Sequence, residues 1–172
     1  ADSRDMFNGA PHRYDCQLLG KKLLYVPYHS YRLASPTLRY AQLLQPGHLA
    51  AQATRYELHR VWELVATLKP GAQHLYGQRR YYLDEDTWAI VAADYYDRQG
   101  HLWRTADAHT YYHVAAGSAL HAVEVTYDLN NGRSPVSGLT HEQPRPYASH
   151  PPASLSYSPP AALPPSAARS PP

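Results

Sequence analysis

From Arg55 to Leu68 the chain alternates without a break. Tyr56, Leu58, Arg60, Trp62, Leu64, Ala66 and Leu68 hold the even positions, against Arg55, Glu57, His59, Val61, Glu63, Val65 and Thr67 at the odd ones. Sustained alternation fits a half-buried β-strand and not a helix, because successive strand side chains point to opposite faces. The even set reads as the inward face. Lys69-Pro70-Gly71 ends the strand, since Pro lacks a donor and Gly takes turn dihedrals.

The same reading gives strands at 74–83, 87–96, 101–112, 121–129 and 133–139, with 14–28 ahead of them as one or two strands broken at Gly20. Their turns are short: Asp84-Glu85-Asp86, like charges that must face water, Asp97 to Gly100, and Asn130-Asn131-Gly132. Strands joined this way make an antiparallel meander. Ser35 before Pro36 predicts a helix over 36–44, too short to cover six strands. The expected fold is mostly β, a curved antiparallel sheet with one short helix. Within 87–96, Trp88, Ile90 and Ala92 oppose Ala89, Val91 and Ala93. A strand apolar on both faces is covered on both. One short helix cannot supply the second cover, which is expected from a missing part of the same chain, a partner or a ligand.

Composition sets the bounds. A chain of 172 residues allows one domain, and a net charge of +2 leaves no basic field for nucleic acid. No apolar run approaches the roughly 18 residues of a membrane-spanning helix. Ten of the 16 prolines lie beyond residue 140. Residues 1–140 therefore read as the β domain and 141–172 as a disordered Pro/Ala/Ser-rich tail. The start at Ala1 carries no signal peptide and no Met, so a mature form or a fragment of a longer chain is expected.

Catalytic and metal chemistry find little support. His101, His109 and His113 share parity, but even His109 and His113 would stand roughly 13 Å apart on a regular strand, too far for one ion. Cys16, the single cysteine, reads as a small buried residue. Neither a metal nor a cofactor is expected. Arg60 interrupts the apolar face of its strand. It serves either as half of an ion pair with Asp94 or Asp107, or as an anchor for a ligand headgroup. Tyr56, Leu58, Leu64, Trp62, Tyr82, Trp88 and Trp103 either line a cavity with it or pack a core.

Several blocks, in order, resemble a bacterial envelope family. They include Met6-Phe7-Asn8-Gly9-Ala10, Arg13-Tyr14-Asp15 and Tyr25-Val26-Pro27-Tyr28. They continue through Arg55 to Trp62, Ala66 to Gly71, Tyr82 to Trp88, Ala93 to Asp97 and Gly100 to Arg104. The family is the domain of unknown function thirteen twenty-nine, whose members resemble the lipoprotein carriers LolA and LolB. The match covers residues 5–140, corresponds to the family's C-terminal part and stops at about Thr140. Cys16 stands where the pattern has Trp. The resemblance implies an open half-barrel with a helical lid and an apolar concave face. It also implies a non-enzymatic periplasmic or outer-membrane carrier or sorting factor for lipid or lipoprotein-like cargo. Peripheral contact with the membrane and with an envelope transport system would follow. The alternative is a structural or interaction module of an envelope export system without cargo.

Overall fold

The computed structural model describes residues 6–7 and 9–143. The expected tail lies almost wholly outside them. The elements run β1 (Tyr14–Pro27), α1 (Tyr40–Leu43), β2 (Leu44–Gln45), β3 (His48–Leu49), β4 (Tyr56–Leu68), β5 (Gln78–Asp84), β6 (Ile90–Tyr96), β7 (Leu102–His113), β8 (Ser118–Asp128) and β9 (Val136–Ser137). One antiparallel sheet orders the strands β1-β4-β5-β6-β7-β8-β9, and β2 and β3 pair apart from it. The expected mostly-β meander is thus present. β1 is a single strand with a bulge between Leu18 and Gly20, which Gly20 permits at φ +121°.

The sheet coils without closing. Although β4, β5 and β6 separate β1 from β7, the end of β1 returns to β7. The Ser30 amide donates to the Thr110 carbonyl at 2.8 Å, and the Thr110 hydroxyl to the Pro27 carbonyl at 3.3 Å. Residues 28–55, which carry α1 and the β2–β3 hairpin, then lie over β8. Leu33, Leu43, Leu49 and Ala50 pack there on Val123 and Val125.

Coiling buries different faces at different ends. On one face Ala66, Tyr81, Ala93, Tyr95 and Ala106 form a core with Met6, Tyr14 and Tyr76. On the other, Val61, Tyr82 and Val91 pack with Val26. The even face of β4 is therefore inward only from Leu64 onward. Tyr56 and Leu58 are exposed, and the buried residue ahead of them is odd-numbered Val61. The expectation that the second face of β6 needs cover from a missing segment, a partner or a ligand is corrected: Ala93 and Tyr95 pack with Tyr76 and Tyr81 on one face, and Val91 with Val26, Val61 and Tyr82 on the other, all from this chain.

Other expectations are corrected. The helix is only Tyr40–Leu43: Ser35 starts an isolated turn, its hydroxyl accepting from the Thr37 amide at 3.5 Å and its carbonyl from the Leu38 amide at 3.3 Å, and the chain is extended at Arg39 before the helix begins. The Gln42 side chain instead accepts from the Arg39 amide at 2.8 Å. β5 and β6 start later than expected, leaving Trp88 in the turn at φ +60°. Cys16 is exposed. Arg60 is exposed too, and its Nε meets Glu85 at 2.6 Å rather than Asp94 or Asp107.

Candidate functional site

Strand register fixes what the concave face presents. Glu63 pairs with Tyr82, Tyr82 with Ala92, Ala92 with Asp107, and Asp107 with Val125. Arg80 pairs with Asp94, Asp94 with Thr105, and Thr105 with Tyr127. All share one face, because directly paired residues project to the same side. This stretch is polar where the resemblance implies an apolar face. The Tyr82 hydroxyl donates to Asp94 at 2.9 Å, and the Tyr56 hydroxyl to Asp107 at 2.7 Å. Glu63 takes Lys22 at 3.0 Å and Arg80 at 2.9 Å.

Burial sets the electrostatics here. It raises the Asp107 carboxyl above the ordinary carboxylate range against the pull of the Tyr56 bond, and Asp94 adds to the rise. Burial and then Asp107 push Tyr127 up to about 12. His109, two residues along the same face, is fully buried, and neither ring nitrogen has a hydrogen-bond partner. Burial lowers it to about 4. The Tyr56 ring stands edge-on to it at 5.7 Å.

A cavity opens where the 28–55 connection meets the ends of β7 and β8. It holds about 430 Å³ and is lined by Ala34, Pro36, Tyr111, His113, Ala122, Thr140, His141 and Gln143. That volume lies within the roughly 300–1,000 Å³ of small-molecule sites. Ala34 and Pro36 come from the connection. Tyr111 and His113 come from β7. Ala122 sits in β8 opposite the break in register after His109. Thr140, His141 and Gln143 follow β9, where the His141 Nε2 bonds the Leu33 carbonyl at 2.7 Å and so ties this segment to the connection. The His113 Nδ1 accepts from the Ala116 amide at 3.1 Å. The arrangement offers an apolar wall with a few polar groups and suits an amphiphile.

A third cluster stands at the β5–β6 turn. Among the described residues, His59, Asp84 and Asp86 bring ligand atoms within 4.8 Å of one another, so they are the side chains able to hold a cation together. Asp84 is fully buried, contrary to the solvated turn expected. Its carboxylate accepts from the Thr87 amide at 3.0 Å, the Thr87 hydroxyl at 2.8 Å and the His59 Nδ1 at 3.0 Å. Those bonds account for Asp84 as the group that shapes the turn.

The sequence-derived candidates fall in three places, and none lines the 430 Å³ cavity. Tyr82 and Tyr56 bond the concave carboxylates. Leu64 and Trp103 pack on the core of the opposite face, and the Trp103 indole donates to Asp128 at 3.2 Å. Leu58, Arg60, Trp62 and Trp88 are exposed or half-buried around the β5–β6 turn. There Trp62 stacks on Trp88 at 6.1 Å, and Lys21 sits 4.5 Å over the Trp62 ring. Sequence reasoning missed the cavity, whose walls come from segments about a hundred residues apart. No local signal pointed to it, since the two histidines of its lining, His113 and His141, belong to separate segments of the chain.

Comparison with known proteins gives a family. The model of DUF1329, described as a protein of unknown function, matches residues 1–163 and so runs past the Thr140 limit read from the motifs. A protein of Pseudomonas aeruginosa called uncharacterized protein PA3922 is 47% identical over 163 residues. The match takes in 95% of this chain and 36% of that protein, so the chain spans about a third of its relative's length. Two crystal structures align with low identity. A domain named for outer membrane lipoprotein sorting, from Vibrio parahaemolyticus, is 12% identical over 77% of this chain and 42% of its own, with a TM-score of 0.47. A DUF1329 family protein from Desulfovibrio piger is 16% identical over 88% of this chain and 47% of its own, with a TM-score of 0.46.

Proposed function

Because this chain belongs to the DUF1329 family and its sheet forms an open half-barrel, we propose that it is a non-enzymatic carrier or sorting factor for hydrophobic cargo. The cargo class is a lipid or the acyl part of a lipoprotein-like molecule. The site of action is the periplasm or the outer membrane, as the resemblance of the sequence blocks to exported proteins implies. The observation that carries the reading is the cavity under the 28–55 connection. An acyl chain entering it would gain roughly 25 cal/mol per Å² of apolar surface removed from water. The cargo seat moves from the polar middle of the concave face to its covered end. Peripheral contact with the membrane and with a transport system belongs to the same proposal.

A second reading, an interaction module without cargo, rests on another observation. Tyr25 pairs with Leu58 and Leu23 with Arg60 on one face of β1 and β4, and Leu23 and Tyr25 are 66% and 69% exposed. Exposed apolar stripes of this kind mark contact surfaces. Titration with Nile red separates the two. A carrier gives saturable binding at one dye per chain, abolished by Ala34→Trp, which fills the cavity from its half-buried wall. Dye binding that is absent, or unaffected by Ala34→Trp, defeats the carrier reading.

A further inference from the structure

The β5–β6 turn carries a cluster that neither the cavity nor the concave face uses. Asp84 is fully buried, yet among the described residues no Lys or Arg reaches its carboxylate. Buried charges are paired or coordinate metals. One oxygen is committed to the turn. Oδ2 accepts from the Thr87 amide at 3.0 Å, the Thr87 hydroxyl at 2.8 Å and the Tyr28 hydroxyl at 3.4 Å. The other, Oδ1, has the His59 Nδ1 as its partner at 3.0 Å. Two ligands on a tetrahedral zinc ion, each at about 2.0 Å, stand roughly 3.3 Å apart, so a cation fits between these atoms once the Nδ1 proton leaves. The neutral ring can carry its proton on Nε2 instead, which stands 3.9 Å from the Glu57 carboxylate. An outer carboxylate of this kind orients histidine ligands. Glu57 is itself held by the His29 ring and by Arg55, at 2.8 Å each. Asp86 completes the set from the exposed side and gives an ion a way in, with its ligand atom and those of His59 and Asp84 within 4.8 Å of one another. We propose that His59, Asp84 and Asp86 form a site for a divalent first-row transition cation of the zinc type, which clamps β4 to the β5–β6 turn. The imidazole favours such ions over magnesium or calcium, which take oxygen ligands. The site shares no residue with the cavity and stands independently of the cargo reading. Spacing along one strand hid it, since 25 residues separate His59 from Asp84.

Calorimetric titration of the whole chain with zinc chloride tests it, with magnesium chloride as the control. Zinc should bind saturably at one ion per chain, at least roughly tenfold more tightly than magnesium, and should raise the melting temperature. The Thr87 amide resonance should shift on zinc addition, because its acceptor becomes a ligand. Asp86→Ala lies at an exposed position and His59→Asn keeps a donor for Asp84, so both variants should fold. Each should weaken zinc binding by roughly tenfold or more and remove the gain in melting temperature. The chain has 11 histidines, so the position of binding has to be read as well as its strength. Zinc binding that survives both variants, or that leaves the Thr87 amide unmoved, belongs to other histidines and overturns the site. The absence of saturable binding, or magnesium binding as tight as that of zinc, overturns it as well.

Discussion

The Tyr56 hydroxyl donates to the Asp107 carboxylate at 2.7 Å across 51 residues of sequence. It ties the start of β4 to the middle of β7 over the concave face, so this bond holds the coil of the sheet as well as a carboxylate. Tyr56→Phe keeps the ring against His109 and deletes the donor. A part-buried carboxylate that loses its partner costs about 1–3 kcal/mol. The bond also pulls the Asp107 carboxyl down, so its loss should raise that group further. Urea unfolding and carboxyl NMR titration read the two effects. A stability loss under about 0.5 kcal/mol with no change in titration would show Asp107 to be solvated.

His109 gives the fold a pH dependence of known sign. Burial holds the ring neutral down to about pH 4 in the folded chain, against an ordinary value of 6.5. Between those values the unfolded state binds more protons, so stability is full above pH 6.5 and falls as pH drops toward 4, by about 3 kcal/mol. Asp107 works in the opposite direction. Its raised pKa favours the protonated carboxyl in the fold, a contribution present at low pH and lost as the group ionises. His109→Leu removes the imidazole and both unpartnered nitrogens. The variant should match or exceed the parent in stability at pH 7 and lose the decline between pH 6.5 and 4. An unchanged decline would place the proton uptake elsewhere.

Asp84 is the buried pivot of the β5–β6 turn. Asp84→Ala strands the Thr87 amide and hydroxyl and the His59 Nδ1 together, and should cost about 3 kcal/mol in urea unfolding. Asp86→Ala, at the exposed neighbour, should change stability by less than about 0.5 kcal/mol. Equal effects at the two positions would mean that the turn is held by something other than Asp84.

The strands were legible because alternation and turn residues are local properties. Alternation gives parity, however, and not which face is covered where. In a coiled sheet the cover changes sides along one strand, so Val61 is buried at an odd position of β4 and Ala66 at an even one. That explains Arg60, which looked anomalous on an inward face and lies on an exposed stretch of it beside Glu85. Asp84 escaped notice because a run of three acids reads as one solvated turn, although its first member still belongs to β5. The cavity could not be read at all. Ala34, His113 and His141 meet only after the connection folds over the sheet, and no local pattern joins them.

Trp62→Ala measures how far that coil exposes β4. A fully buried Trp would cost about 3–5 kcal/mol. Trp62 is half-buried and stacks on Trp88, which is 65% exposed, so the loss should be about 1–2 kcal/mol. A loss above about 3 kcal/mol would show that the indole is covered in solution.

Gly77 precedes β5, and its constraint is steric rather than conformational. A Cβ there would stand 2.8 Å from the Asp97 carbonyl oxygen and 2.9 Å from the Arg98 Cα. Both neighbours are backbone of the β6–β7 turn. That turn is pinned by the Asp97 carboxylate, which accepts from the Gln99 and His101 amides at 2.9 Å each. Gly77 is itself held from both sides, with its carbonyl accepting from the Leu68 amide at 2.9 Å and its amide donating to Tyr96 at 3.0 Å. Neither partner yields without breaking ladder bonds, so Gly77→Ala should cost about 2–3 kcal/mol. Asp97→Ala frees the turn, so in its background the Gly77→Ala penalty should shrink by 1 kcal/mol or more, a coupling read from a double-mutant cycle. Additive losses would mean that the clash is relieved elsewhere and that the turn does not enforce glycine at this position.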